Sequence, residues 1–267
     1  MITAGGLYVE DVGEGPAVVL LHGLTASHRY VVMGSRALER SGHRVVAYDA
    51  RGHGRSQPAV SDDGYGYPAL AADLLAVMDE RGIDRAVLAG ASMGAHTAAR
   101  AALDHPERIA GLVIVTPAFD PTAPRTDADL ARWDALSEGL RRGGIEGFLA
   151  AYGVPDVPDA WKATLVDVMR QRLSQHEHLD AVADALRATP RSLPFDQWSD
   201  LAPIGVPAVV VADRDEPDPG HPLAVGEAWA RAIPGARLLV EQAGRSPIAW
   251  QGSQLSKVIA EVVEQTG

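Results

Sequence analysis

The chain has 267 residues, 46% of them hydrophobic, and a formal net charge of −11. Its length suits a single α/β domain with an insertion, and its acidity excludes the basic face that nucleic acid requires. Cysteine is absent, which excludes disulfides, thiolate metal sites and cysteine nucleophiles.

Met1 to Glu10 shows no basic region followed by an apolar stretch, and no apolar run approaches the roughly 18 residues of a membrane span. A cytoplasmic protein without membrane contact is therefore expected. Leu7–Glu10 reads as a weak first strand, turned back by Gly13-Glu14-Gly15-Pro16. Stronger strands follow at Ala17–Leu21, Arg44–Tyr48, Arg85–Ala89, Leu112–Val115, Pro207–Val211 and Arg237–Val240. The run Val209-Val210-Val211 has the β-branched density of a buried strand. Helical periods fill most of the gaps. Val31 to Arg40 ends at Ser41-Gly42, and Tyr67 to Arg81 carries Leu70, Leu74, Val77 and Met78 on one face. A last helix is striped by Leu255, Ile259, Val262 and Val263. This alternation predicts a mostly parallel central sheet flanked by helices.

Between about Thr116 and Pro203 the alternation stops. Helical patches at Ala128–Leu140, Ala160–Leu173 and Leu179–Ala188 are joined by Asp- and Pro-rich turns, and three of the five tryptophans (Trp133, Trp161, Trp198) fall here. A helical insertion between two core strands reads as a lid. The chain then divides into a core of 1–116 and 204–267 and a lid of 117–203.

The sharpest motif is Gly90-Ala91-Ser92-Met93-Gly94, between the strand Arg85–Ala89 and an Ala-rich helix from Ala95 to Leu103. A strand-to-helix corner forces strained backbone angles on the serine and leaves no room beside it. Small residues are therefore needed at Gly90, Ala91, Gly94 and Ala95. The strain lifts the hydroxyl above the sheet edge, and the helix N-terminus behind it favours developing negative charge. Two further segments accompany it: His22-Gly23-Leu24 directly after a strand, and Asp49-Ala50-Arg51-Gly52-His53-Gly54-Arg55-Ser56 after the next.

In this order and spacing the motifs, together with His105-Pro106-Glu107-Arg108, resemble the α/β-hydrolase superfamily over nearly the whole chain. The resemblance implies the α/β-hydrolase fold with Ser92 as nucleophile and the backbone N–H groups of Leu24 and Met93 as oxyanion hole. It implies an acid after the strand Pro207–Val211, where Asp215 matches and Asp213 is the nearest rival, with Asp120 a less favoured site. The base should follow the final strand, but that position holds Arg245. Arginine stays protonated and cannot take the serine proton. His221, in Asp218-Pro219-Gly220-His221-Pro222, lies on the right sheet edge to serve as an alternative base. His22 and His53 read as loop-bracing, His96 as a packing residue, His28 as a neighbour of the oxyanion loop, and His176 and His178 as solvated lid positions.

The expected function is that of a serine hydrolase acting on a small carboxylic ester or related acyl substrate, with an atypical or impaired base. Arg245 keeps two alternatives open: a non-hydrolytic ligand-binding protein or pseudoenzyme of the same fold, and a lyase or isomerase using the same pocket. The serine excludes the aspartate-nucleophile branches of the family. No metal constellation, phosphate loop or dinucleotide fingerprint is present, so no cofactor is expected. The expected partner is a small molecule, for a monomer or homodimer.

Overall fold

The computed structural model describes residues 1–3, 5–123, 126–154, 156–214, 216, 218–242 and 250–266. Seven strands form one sheet: β1 (Val9–Val12), β2 (Ala17–Leu21), β3 (Arg44–Tyr48), β4 (Ala86–Ala91), β5 (Ile109–Val115), β6 (Ala208–Ala212) and β7 (Arg237–Val240). Their order is β1-β3-β2-β4-β5-β6-β7, with β1 antiparallel to β3 and every other pairing parallel. The chain winds from β2 out to β3 and then returns to place β4 on the other side of β2. The crevice beyond the carboxyl ends of β2 and β4 is therefore a topological switch point, where open α/β sheets bind ligands.

Alternate residues of each strand feed two cores. On one face Val19, Leu21, Val46, Leu88, Leu112, Ile114 and Val210 pack with α2 (Tyr67–Glu80), α3 (Met93–Asp104) and Trp229 of α7 (Leu223–Ala232). On the other, Val18, Leu20, Val87, Val113, Val209 and Val211 meet Leu38 of α1 (Ala37–Arg40) and Leu255, Ile259 and Val262 of α8 (Gly252–Glu264). Burial on both faces explains why these strands read as continuous apolar runs.

Between β5 and β6 stand α4 (Asp127–Tyr152), α5 (Asp159–Leu173) and α6 (Leu179–Ala188). Leu136, Leu140, Phe148, Leu173, Val182 and Leu186 form their own small core, against which Leu24 packs. Among the described residues no helix is long and apolar enough to cross a membrane.

Two helices differ from expectation. The stretch from Val31 to Arg40 is not one helix: a 3-10 turn at His28–Tyr30 precedes it, an irregular bend follows, and only the short α1 at its end is helical. Met33 and Gly34 both take positive φ, 48° and 72°, which no α-helix accommodates. Conversely α4 runs far beyond the expected Leu140, through a kink at Gly144 (φ 59°, ψ −146°) that breaks the helical period. It begins at a capping box in which Thr126 and Asp129 exchange hydrogen bonds.

Candidate active site

Ser92 occupies the corner between β4 and α3 with φ 50° and ψ −112°. A non-glycine residue at positive φ is strained, and such strain persists only where the surroundings enforce it. Here they do. A Cβ on Gly90 would stand 2.2 Å from the Gly94 carbonyl oxygen, and one on Gly94 would stand 2.1 Å from that of Leu21. The Ser92 N–H is tied to the Val115 carbonyl at 2.9 Å, so neighbouring strand ends hold the corner shut.

The Ser92 Oγ lies 3.0 Å from His221 Nε2, and His221 Nδ1 lies 2.8 Å from Asp218 Oδ2. Both partners come from the segment linking β6 to α7, where the His221 N–H also donates to the Asp218 carbonyl at 3.1 Å. With the ionised carboxylate accepting from Nδ1–H, the neutral ring presents an unprotonated Nε2 to the serine hydroxyl. Burial alone would lower the imidazole pKa. The Asp218 charge and hydrogen bond, with Asp213 behind them, outweigh it against the opposing Arg172, and the pKa is raised. Asp213 itself is pushed up to about 7 by burial and by the like charges of Asp218 and Glu241.

A second network braces the loop after β2. His22 Nε2 accepts from the Ala50 N–H at 2.9 Å while Nδ1 donates to the Gly23 carbonyl at 2.8 Å. His53 Nε2 meets the Leu24 carbonyl at 2.7 Å. His176, in the turn between α5 and α6, accepts from the Gly54 N–H at 2.8 Å and reaches the Thr25 carbonyl at 3.2 Å. The three rings lie in a row with centroids 5.1 and 5.5 Å apart. Burial, with like-charge repulsion from His53, drives His22 down to about 3 and His176 to about 4, so these two work as neutral hydrogen-bonding struts; burial lowers His53 as well. Beneath them the fully buried Asp49 accepts from His28 N–H (2.7 Å), His28 Nδ1 (2.8 Å) and Arg55 N–H (3.0 Å). The carboxylate oxygens would lie 2.0 and 2.5 Å from a Cβ on Gly54, which explains that glycine.

Ser92, Leu24 and Met93 thus sit around the switch-point crevice, and Met93 is the first residue of α3, where a backbone N–H has no acceptor in its own helix. Asp215 and Arg245 lie outside the described residues. Asp120 is engaged locally by Thr122 N–H and Oγ, at 2.7 and 2.6 Å. His96 holds the loop after β5, accepting at Nε2 from Ala118 and Phe119 N–H. The reading of His176 as solvated is corrected: it is 8% exposed because the turn carrying it plugs onto two site loops. The Nε2 of His178 is buried too. Asp218 escaped the sequence reading altogether. Its signal was the three-residue spacing to His221 across Pro219-Gly220, which lets one turn carry both groups.

A sequence profile of the α/β-hydrolase fold matches residues 16–251. The chain is 31% identical, over 88% of its length and 82% of the relative's, to 2-hydroxy-6-oxononadienedioate/2-hydroxy-6-oxononatrienedioate hydrolase 2 of Pseudomonas putida. It is 33% identical, over 78% of its length and 77% of the relative's, to a Variovorax paradoxus protein provisionally named carbamate hydrolase RutD. Among solved structures, a malate-bound thermophilic esterase from Thermogutta terrifontis superimposes with a TM-score of 0.75 at 27% identity, covering 97% of this chain and 93% of the esterase.

Proposed function

We propose, from the premise that this chain belongs to the α/β-hydrolase family and is an enzyme of the carboxylic ester hydrolase type, that it hydrolyses small carboxylic esters or related acyl compounds through a Ser92–His221–Asp218 triad. The observation that carries the reading is the 3.0 Å approach of His221 Nε2 to Ser92 Oγ, with Asp218 2.8 Å from the other ring nitrogen.

In this reading Ser92 attacks the acyl carbon while His221 takes its proton, and the Leu24 and Met93 N–H groups receive the oxyanion. Asp218 fixes the tautomer and stabilises the imidazolium. His221 then returns the proton to the departing alkoxide, and water repeats the cycle on the acyl-serine. The base has moved to the acid's loop, so an arginine at the family's usual histidine position does not block turnover. Helices α4–α6 serve as the lid: they pack on Leu24 and reach the site loops through His176. Beside esters, the names of the relatives, a carbamate hydrolase and a dienedioate hydrolase, support related acyl compounds as substrates to test.

Turnover of p-nitrophenyl acyl esters by wild type, His221→Ala, Ser92→Ala and Arg245→Ala tests this. Loss of turnover in both Ser92→Ala and His221→Ala supports the triad. Turnover that survives His221→Ala but fails in Arg245→Ala would overturn it.

A further inference from the structure

Past the oxyanion loop the sheet carries a second opening. Only the end of the 31–40 stretch is helical, so part of the sheet face beside it is uncovered, and a cleft of about 430 Å³ lies there. Its floor is apolar, made by Val12, Leu20, Val45 and Ala47, and Val32 forms part of its wall. Across β1 and β3, Glu10 stands opposite Ala47 and Val12 opposite Val45, so all four project from one face of the sheet. The volume is that of a small-molecule site, and none of Ser92, His221 and Asp218 lines it.

One end of the cleft is polar and incompletely satisfied. His28 is 9% exposed, and its Nδ1 lies 2.8 Å from Asp49 Oδ1. Asp49 also accepts from the His28 and Arg55 N–H groups, as a carboxylate does, so Nδ1 carries the ring proton. In the neutral ring Nε2 then holds a lone pair. That Nε2 is buried without a hydrogen-bond partner. Opposite it, 3.3 Å away, stands Glu10 Oε1, a second acceptor.

Two acceptors thus face one another at the end of an apolar cleft, and a buried acceptor left unmatched is costly. The group that satisfies both is a positively charged donor of several hydrogen bonds, an ammonium. The Glu10 side chain is half exposed, so it can swing aside to admit one. Arg29 and Arg36 also line the cleft, both exposed, and Arg36 is already paired with Glu39 at 3.1 Å. Their charge repels a second ammonium and so disfavours polyamines.

We propose that this cleft is a second ligand site, separate from the Ser92 crevice, that binds a small primary monoamine. The ammonium sits between His28 Nε2 and the Glu10 carboxylate, and the apolar body lies over Val45 and Ala47.

Calorimetric titration with 2-phenylethylamine, 2-phenylethanol and 3-phenylpropionate tests this at pH 8, where a primary amine keeps its proton. The three share a phenyl body and differ in charge. Wild type binds the amine at least about tenfold more tightly than either analogue, and Glu10→Gln loses at least about tenfold of that affinity. Glu107→Gln removes the same charge from an exposed site outside the cleft and keeps the affinity. Absence of binding in wild type, or equal affinity for either analogue, overturns the proposal. Equal affinities in Glu10→Gln and Glu107→Gln overturn it too, since the acidic chain would then attract the amine at large or hold it elsewhere.

Discussion

His221 lies three residues after Asp218 and within 2.8 Å of its carboxylate, so one short loop after β6 holds both the carboxylate and the imidazole that reaches Ser92 Oγ. A single loop offers fewer independent anchors than two, and its carboxylate neighbours Asp213 and Glu241 add repulsion. The loop's charge balance should accordingly show in the kinetics.

The first expectation concerns Asp218→Asn. An amide can hold the ring in the wrong tautomer and no longer stabilises the imidazolium, which in a serine triad costs about 10⁴ in turnover. Steady-state assays with a p-nitrophenyl ester should find most of the loss in kcat. A loss below about tenfold would assign the acid elsewhere.

The second concerns pH. His221 must be neutral to act, and its pKa is raised above the ordinary 6.5 by Asp218 and Asp213 against burial and Arg172. The acid limb of kcat/KM therefore falls above 6.5, activity appearing only as pH rises through it. Neutralising Asp213 (Asp213→Asn) removes one attraction and moves the limb downward. A limb that stays put in that variant would contradict the charge assignment.

Stability should respond to acid through the buried histidine row. His22 and His176 are held near 3 and 4, against 6.5 when unfolded. Their contribution is full above 6.5 and is lost as pH falls from 6.5 toward 4, because the unfolded chain takes up protons that the folded one refuses. Asp213, pushed up to about 7, works in the opposite direction over part of this window, so the comparison is made between variants. Chemical denaturation of His176→Gln at pH 7.5 and 5 should show a smaller acid loss than wild type. An identical loss would remove His176 from the account.

Two glycines should respond in opposite senses. Gly94→Ala puts a methyl group 2.1 Å from the Leu21 carbonyl oxygen, so the nucleophile corner must shift, at a cost of about 3 kcal/mol. Gly143, within α4, has nothing within 4 Å of an added Cβ, and its replacement by alanine should stabilise by about 0.5–1 kcal/mol. Urea melts of the two variants check both signs.

Much of this was legible in the chain because it is local. A buried parallel strand announces itself as Val209-Val210-Val211, and a crowded corner as Gly90-Ala91-Ser92-Met93-Gly94. The order of the motifs carried the fold with them. What escaped depends on contacts distant in sequence. His176 meets Gly54 across 122 residues, and nothing in its own surroundings distinguishes a plugged turn from a solvated one. Asp218 was hidden by proximity of another kind, since a turn residue beside Pro219-Gly220 reads as solvated until a histidine is seen to use it. The extent of α4 was masked by Gly143-Gly144, whose local preference ends a helix that tertiary packing continues.

The central claim is that His221 activates Ser92, and covalent labelling reads it without reference to any substrate. Wild-type protein treated with a small activated organophosphonate should gain one phosphonyl group on the peptide bearing Ser92, followed by intact and peptide mass spectrometry. His221→Ala should slow that labelling by about 10⁴ or more. Labelling of Ser92 at the wild-type rate in His221→Ala would contradict the account, as would labelling at a different residue.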